Sequence, residues 1–241
     1  MIAVDYSKKL SHVIDSGNVR AFKRVFQKIQ VNRLSKMDQS EFITTLLRTA
    51  ASCGRLQIVN ELLAFKPVVG GNETHQTIKH FAPDSCKGNT VLHSAAIKGR
   101  LNIVKRLLEL PDVEINAQNN SGNTALICAT VNGYVKVVRC LLKVDGINVN
   151  LRNVNETACL HYAVGNNDIV KELLSFDGID IGIVDDDGRT LLHYAAVLGH
   201  PSTIQLLLET VKATAIVNAQ DNNKTTPLTT AILSGKSHIV L

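Results

Sequence analysis

The chain has 241 residues, of which 45% are hydrophobic, 20% are charged and only 4% are aromatic, with no Trp. That composition is ordinary for a globular protein, and the shortage of aromatic rings excludes a single-stranded nucleic-acid reader built on base stacking. The net charge of +5 is unevenly spread, because residues 1–100 carry +8 and residues 151–200 carry −5.

One sequence pattern recurs along the chain, and a recurring pattern is the signature of a repeat architecture. Apolar pairs at helical spacing follow each copy, as in Ile103/Val104 and Leu107/Leu108. Each copy predicts a short helix that ends at a left-handed Gly, followed by a second helix with an inward apolar stripe. The copies, in chain order, are LSHVIDSG at 10–17, TLLRTAASCG at 45–54, NTVLHSAAIKG at 89–99, NTALICATVNG at 123–133, RTLLHYAAVLG at 189–199 and TTPLTTAILSG at 225–235.

Turn residues separate the copies at a nearly constant period. Asn119, Asn153, Asp185 and Asp221 are 34, 32 and 36 residues apart, and side chains of this type close Asx-turns. The T-x-L-H line, the helix-ending Gly and the I-V-x-x-L-L stripe together resemble the ankyrin repeat. The resemblance implies an all-α ankyrin-repeat solenoid of about six helix-turn-helix units, the first degenerate and the last truncated.

The resemblance covers most of the chain, so we expect a single ankyrin-repeat domain over 1–241. The apolar stretch 238–241 ends inside an expected helix, and we therefore expect a longer protein, because an uncapped apolar end is costly for a solenoid. The predicted units are approximately 5–37, 38–65, 85–118, 119–152, 153–184, 185–220 and 221–241, with an insertion loop at 66–87.

Three departures from the pattern stand out. The loop at 66–87 is either a tolerated surface insertion or an extended finger that contacts a partner. Glu156 stands where the turn Gly is expected. Two residues are lost between His161 and Ile169, which predicts a first helix about half a turn shorter and a notch at 164–167.

The motifs whose residues could carry out chemistry do not form an active site. The segment 235–237 lacks the earlier glycine and the preceding strand of a phosphate-binding loop, and 185–188 lacks calcium ligands at the required positions. His75, His80, Asp84 and Cys86 lie within one loop, but their spacing matches no common structural zinc site. For the repeated residues His93, His161 and His193, the resemblance implies a hydrogen bond from each ring to the neighbouring turn. We therefore expect no catalytic site, cofactor or metal.

The resemblance implies that partners bind a concave face formed by the turn tips and the first helices. This groove runs from basic through amide and hydroxyl to acidic, and its polarity would orient a partner. Tyr162 and Tyr194 are either interface anchors or rings packed between repeats with their hydroxyls in solvent. The predicted partner-binding residues are Lys87, Asn89, Lys98, Ser121, Asn123, Asn132, Asn155, Tyr162, Asp186, Asp187, Arg189, Tyr194 and Leu198.

The favoured function is a protein–protein interaction module, in a eukaryotic scaffold or adaptor or in a eukaryote-like bacterial effector. One alternative is the recognition domain of an enzyme whose catalytic domain lies beyond residue 241. Another is contact with nucleic acid or an anionic membrane through the basic residues of the first unit, Arg20, Lys23, Arg24, Lys28, Arg33 and Lys36.

Two further expectations concern cellular chemistry. Five cysteines without a C-x-x-C pair predict reduced thiols, mostly small core residues, in a reducing compartment. We therefore expect the cytoplasm or nucleus, or the host cell cytosol for an effector. The resemblance also implies that Asn116, with Leu108, Glu114 and Ile115 before it, is a candidate for asparaginyl hydroxylation.

Overall fold

The computed structural model describes residues 2–28, 36–65, 68–69, 72–73, 84, 86–210 and 214–236. Most of the predicted insertion loop, the residues His75, His80 and Arg33, and the end of the chain at 237–241 lie outside these described residues. The chain divides into two compact units, Met1–Asn120 and Ser121–Leu241, which we call the N-terminal unit and the C-terminal unit.

The described elements of the N-terminal unit are helices, apart from one small hairpin. The hairpin pairs two antiparallel two-residue strands, β1 (Val68–Val69) and β2 (Asn72–Glu73). The helices are α1 (Ile2–Ser16), α2 (Val19–Lys28), α3 (Lys36–Ser52), α4 (Leu56–Leu63), α5 (Val91–Ile97) and α6 (Leu101–Leu108).

The described regular elements of the C-terminal unit are helices, apart from an isolated antiparallel bridge between Arg152 and Ala158. Its helices are α7 (Ala125–Val131), α8 (Val135–Leu141), α9 (Cys159–Tyr162), α10 (Asn167–Leu174), α11 (Leu191–Leu198), α12 (Pro201–Leu208), α13 (Thr214–Val217) and α14 (Pro227–Leu233). The degenerate unit at 5–37 is left out of the numbering, and the unit at 38–65 is repeat one. We name the following repeats by their first helix and the turn before it: repeat two (84–89 and α5), three (119–123 and α7), four (153–157 and α9), five (185–189 and α11) and six (221–225 and α14).

Each unit buries the predicted apolar stripes between layers of helices. In the N-terminal unit, α3 packs against α1 and α5. In the C-terminal unit, the first helices pack in the order α7, α9, α11, α14, and the second helices in the order α8, α10, α12. The stripe residues Ile103, Val104 and Leu107 are at most 1% exposed, and burying each such side chain contributes about 1.5–3 kcal/mol.

Threonine and glycine delimit the first helices as the pattern predicts. The Thr124 hydroxyl accepts a hydrogen bond from the backbone N–H of Ile127 over 3.2 Å, which caps the start of α7. Gly199 follows the end of α11 with a φ of 79°, a left-handed conformation that costs a glycine little because it has no Cβ. Local chemistry therefore sets both ends of these helices.

Repeat four departs from the others more than predicted. Its first helix, α9, has only 4 residues, whereas α5 and α7 have 7 each. A loss of three residues is close to one full turn, so the expected half-turn shortening was too small. Glu156, at the position of the expected turn Gly, adopts the left-handed conformation with a φ of 55°, and Lys224 does the same in repeat six with a φ of 63°.

No helix in the part of the chain that the structure describes is both long enough and apolar enough to cross a membrane.

Candidate functional site

The turns of repeats four, five and six are Asx-turns, as predicted. The Asn153 side-chain oxygen accepts the backbone N–H groups of Asn155 and Thr157, each over 3.0 Å. Oδ1 of Asp185 accepts the backbone N–H groups of Asp187 and Arg189. Oδ1 of Asp221 accepts the backbone N–H groups of Asn223 and Thr225. Asn153, Asp185 and Asp221 are only 5–6% exposed, so their side chains stabilise the turns from inside and are not part of the exposed surface.

Asp84 belongs to the turn of repeat two. Its carboxylate accepts the backbone N–H groups of Lys87, Asn89 and Cys86. Burial raises the pKa of Asp84, but these three hydrogen bonds together outweigh burial, so its pKa lies below the ordinary value. The carboxylate is therefore committed to its own turn, a role that sequence analysis did not assign to it.

The repeated histidines join the first helix of one repeat to the turn of the next. Nε2 of His161 lies 3.0 Å from the carbonyl of Ile183 and 3.1 Å from that of Arg189, while its Nδ1 accepts the backbone N–H of Ala158. Nε2 of His193 lies 3.2 Å from the carbonyl of Thr225. Burial is the main cause that lowers the pKa of His161. Both of its ring nitrogens contact backbone groups, so the ring has the structural role that the resemblance implied.

The residue after the turn glycine ties neighbouring turns together. Nδ2 of Asn119 donates to Oδ1 of Asn89 over 2.9 Å, and Nδ2 of Asn153 donates to Oδ1 of Asn123 over 3.0 Å. The prediction that Asn89 faces outward is therefore wrong, because the next turn covers it and leaves it 8% exposed. Asn123 is half-buried for the same reason.

Arg189 occupies the equivalent position in repeat five and forms ion pairs with two acidic side chains. Its Nη1 lies 3.1 Å from Oδ2 of Asp187, and its Nε lies 3.8 Å from Oδ2 of Asp221. The guanidinium is thus shared between its own turn and the following one. This leaves about a third of the Arg189 side chain exposed to a partner.

Tyr162 and Tyr194 are half-buried, and their hydroxyls are bonded inside their own repeats. The Tyr162 hydroxyl oxygen accepts a hydrogen bond from Nδ2 of Asn153 over 3.0 Å, and the Tyr194 hydroxyl donates to Oδ2 of Asp185 over 2.6 Å. Each hydroxyl therefore has a protein partner within its own repeat. The Tyr194 ring also meets His161 edge-on at a centroid distance of 5.8 Å.

Eight of the predicted binding residues remain exposed. Next to them, Val154 is 67% and Val131 is 53% exposed, a level similar to the 50% of Leu198. The exposed predicted residues are Lys87 and Lys98 in the N-terminal unit, and Ser121, Asn132, Asn155, Asp186, Asp187 and Leu198 in the C-terminal unit.

The turn of repeat five is strongly acidic. Carboxylate oxygens of Asp185, Asp186 and Asp187 lie within 4.8 Å of one another. The Asp185 carboxylate accepts hydrogen bonds from the Tyr194 hydroxyl and from backbone N–H groups, and the Asp187 carboxylate forms an ion pair with Arg189. Among the described residues, none pairs with the Asp186 carboxylate.

Two other predicted features lie in the N-terminal unit. The α2 side chains Arg20, Lys23, Arg24 and Lys28 are exposed, and Lys23 forms an ion pair with Glu61 at 2.8 Å. Asn116 lies half-buried in the turn that follows α6.

The sequence matches the family described as ankyrin repeats (3 copies) over residues 10–117, 47–153 and 160–241. These matches cover most of the chain, which belongs to the ankyrin repeat family and has its all-α solenoid fold. No curated protein matches the chain in a sequence comparison. Ankyrin repeats are generally protein–protein interaction modules, and ankyrin repeat domains are non-catalytic.

Proposed function

We propose that this chain is the recognition module of an adaptor, scaffold or effector, and that the C-terminal unit captures a segment of another protein. The binding surface is formed by the turn tips and first-helix ends of repeats three to six. It corresponds to the groove that the family resemblance predicts. The five cysteines, an odd number without a C-x-x-C pair, favour a reducing compartment, which is the cytoplasm or nucleus, or the host cell cytosol for an effector.

One observation carries this proposal: large apolar side chains are exposed next to polar groups that are already hydrogen-bonded within the repeats. The carboxylates of Asp185 and Asp221 and the rings of His161 and His193 are bonded within the array. In contrast, Val131, Val154 and Leu198 are at least half exposed. Exposed apolar side chains beside polar ones are typical of protein interaction sites. The fold itself gains nothing from their exposure.

Site-directed photo-crosslinking tests the proposal. A benzoylphenylalanine replaces Leu198 on the proposed surface or Lys171 on α10, an exposed position of the second-helix layer in the same unit. Each chain is irradiated in cell lysate, and the crosslinked proteins are identified by mass spectrometry. We expect Leu198 to capture a discrete partner that Lys171 does not.

The Lys171 chain is the matched control, because it carries the same probe on the same unit. Circular dichroism checks that both chains are folded. A partner captured through Lys171 but not through Leu198 would place recognition on the second helices and contradict the proposal.

A further inference from the structure

Backbone hydrogen bonds join the turn tips of neighbouring repeats at three junctions. The N–H of Asn120 donates to the carbonyl of Lys87 over 3.0 Å, and the N–H of Val154 donates to the carbonyl of Ser121 over 3.1 Å. The N–H of Asn222 donates to the carbonyl of Asp187 over 2.9 Å. At the junction of repeats four and five, whose residues are all described, the equivalent bond from Asp186 to Asn155 is not formed.

Side-chain amides strengthen two of the joined junctions. Nδ2 of Asn120 donates to the carbonyl of Cys86 over 3.3 Å, and Nδ2 of Asn222 donates to the carbonyl of Asp186 over 2.8 Å. The residue at this position in repeat five is Asp186, and its equivalent acceptor is the carbonyl of Val154. An ionised carboxylate has no N–H to donate, so this contact cannot form.

The turn glycines show independently that the tips of repeats four and five stand apart. A Cβ built on Gly122 would lie 2.7 Å from the backbone nitrogen of Val154, and one on Gly188 would lie 2.7 Å from Oδ1 of Asn222. Glu156 holds the same left-handed position and carries a real Cβ. The next turn must therefore lie further from Glu156 than the equivalent turns lie from Gly122 and Gly188.

The same two repeats are joined at their base by His161, which bonds the carbonyls of Ile183 and Arg189. The junction is thus closed at the base and open at the tip. At the opening, the carbonyl of Val154 has no donor among the described residues, and that of Asn155 accepts only the Thr157 hydroxyl over 3.1 Å. The Asp186 carboxylate lies in the opposite turn.

At this opening, the turn of repeat four therefore offers two carbonyls, and the turn of repeat five offers the Asp186 carboxylate together with the Asp186 backbone N–H, which has no acceptor among the described residues. A guanidinium offers five N–H groups in a planar fork and keeps its positive charge, which complements two carbonyls and a carboxylate. We propose that the opening receives an arginine side chain of the bound partner, with an apolar neighbour of that arginine packed against Val154. This inference rests on the proposed function and names the partner as a segment with an arginine beside apolar residues.

Peptide pools test the inference. The probes are fluorescent ten-residue peptide pools with random flanking positions and either arginine or citrulline fixed at the centre. Citrulline keeps the shape of arginine and removes its charge. We expect the full chain to retain the arginine pool about tenfold more strongly than the citrulline pool, since a charge-assisted hydrogen bond is the stronger kind. Equal retention of the two pools would overturn the inference.

The variant Asp186→Asn separates binding from folding. Asparagine supplies the amide found at Asn120 and Asn222, so this variant is expected to close the junction and remain folded. Asp177→Asn is the matched control, because it removes one exposed carboxylate elsewhere in the same unit. We expect Asp186→Asn to lose the preference for arginine and Asp177→Asn to keep it.

Crosslinking through Leu198 distinguishes the two proposals. Suppose that the chain still captures its partner through Leu198. This inference alone is then overturned if the chain shows no preference for arginine, or if the Asp186→Asn variant keeps that preference. Failure of both experiments overturns the proposed function as well.

Discussion

The Tyr194 hydroxyl donates to Oδ2 of Asp185 over 2.6 Å, while Oδ1 of the same carboxylate holds the turn of repeat five. Tyr162 has the equivalent place in repeat four but bonds the neutral amide of Asn153 over 3.0 Å. Burial, followed by the Asp185 hydrogen bond, raises the pKa of Tyr194 well above its ordinary value. Both tyrosines brace a first helix against its turn, one with a charged partner and one with a neutral partner.

Removing these hydroxyls should affect stability unequally. Hydrogen bonds to charged groups contribute more than neutral ones, so we expect Tyr194→Phe to lower the free energy of unfolding by about 1–2 kcal/mol and Tyr162→Phe by about 0.5–1 kcal/mol. Urea unfolding followed by circular dichroism measures both. Equal losses would show that the charge of Asp185 is immaterial to the brace.

Glycine should improve the turn of repeat four. The left-handed conformation of Glu156 costs a residue with a Cβ roughly 1–2 kcal/mol, and its ion pair with Arg152 is exposed and therefore weak. After allowing for the flexibility of glycine in the unfolded chain, we expect Glu156→Gly to raise the free energy of unfolding by about 0.5–1 kcal/mol.

Asn155→Gly is the control for that prediction. Asn155 is adjacent and exposed, and its φ is not positive, so glycine there should only add freedom to the unfolded chain and lower stability. The urea midpoints of the two variants should move in opposite directions. A lower midpoint for Glu156→Gly would mean that its contacts outweigh its backbone strain.

Stability should fall in mild acid because of His161. Burial lowers the pKa of its ring in the folded state, whereas an unfolded histidine titrates near its ordinary value of about 6.5. The unfolded chain therefore binds more protons, so the contribution of this group is fully present above about pH 6.5 and decreases as the pH falls below it. Urea unfolding between pH 7.5 and pH 5 measures the slope.

The variant His161→Gln isolates the contribution of this ring. It has no titrating group at this position, so its stability should be lower at pH 7.5 and should depend less on pH than that of the parent chain. An unchanged slope in the variant would assign the acid sensitivity to other groups.

Exposed cysteines should react faster than buried ones. Burial raises the pKa of Cys128 to about 11 and that of Cys159 to about 12, and the thiolate is the reactive form. Cys86 is exposed. With iodoacetamide at pH 8, peptide mass spectrometry should show rapid alkylation of Cys86 and protection of Cys128 and Cys159 until urea unfolds the chain. Alkylation of either buried thiol at the rate of Cys86 would contradict this order.

Features in which a residue acts on its own repeat or recurs at a constant position are predictable from the sequence. The left-handed Gly199, the Asx-turn of Asp185 and the ring of His161 are all of this kind, because few residue types can fill such positions. The expected enrichment of cysteine in the core was only partly correct, since Cys128 and Cys159 are buried while Cys86 is exposed.

Features that depend on how one turn lies against the next were not predictable. Burial of Asn89 requires the approach of Asn119, and the identity of Asn89 alone carries no such information. The length of α9 was also misjudged, because the helix ends at Tyr162, three residues before the left-handed Gly165, whereas Gly199 directly follows α11.

The open tip between repeats four and five has a consequence for cooperativity. In a linear array, each repeat is stabilised mainly by the interface with its neighbours, and this interface lacks the tip bonds that the flanking junctions possess. Partial unfolding should therefore separate the C-terminal unit at this boundary, with repeats five and six exchanging their amide hydrogens as one group while repeats three and four remain protected.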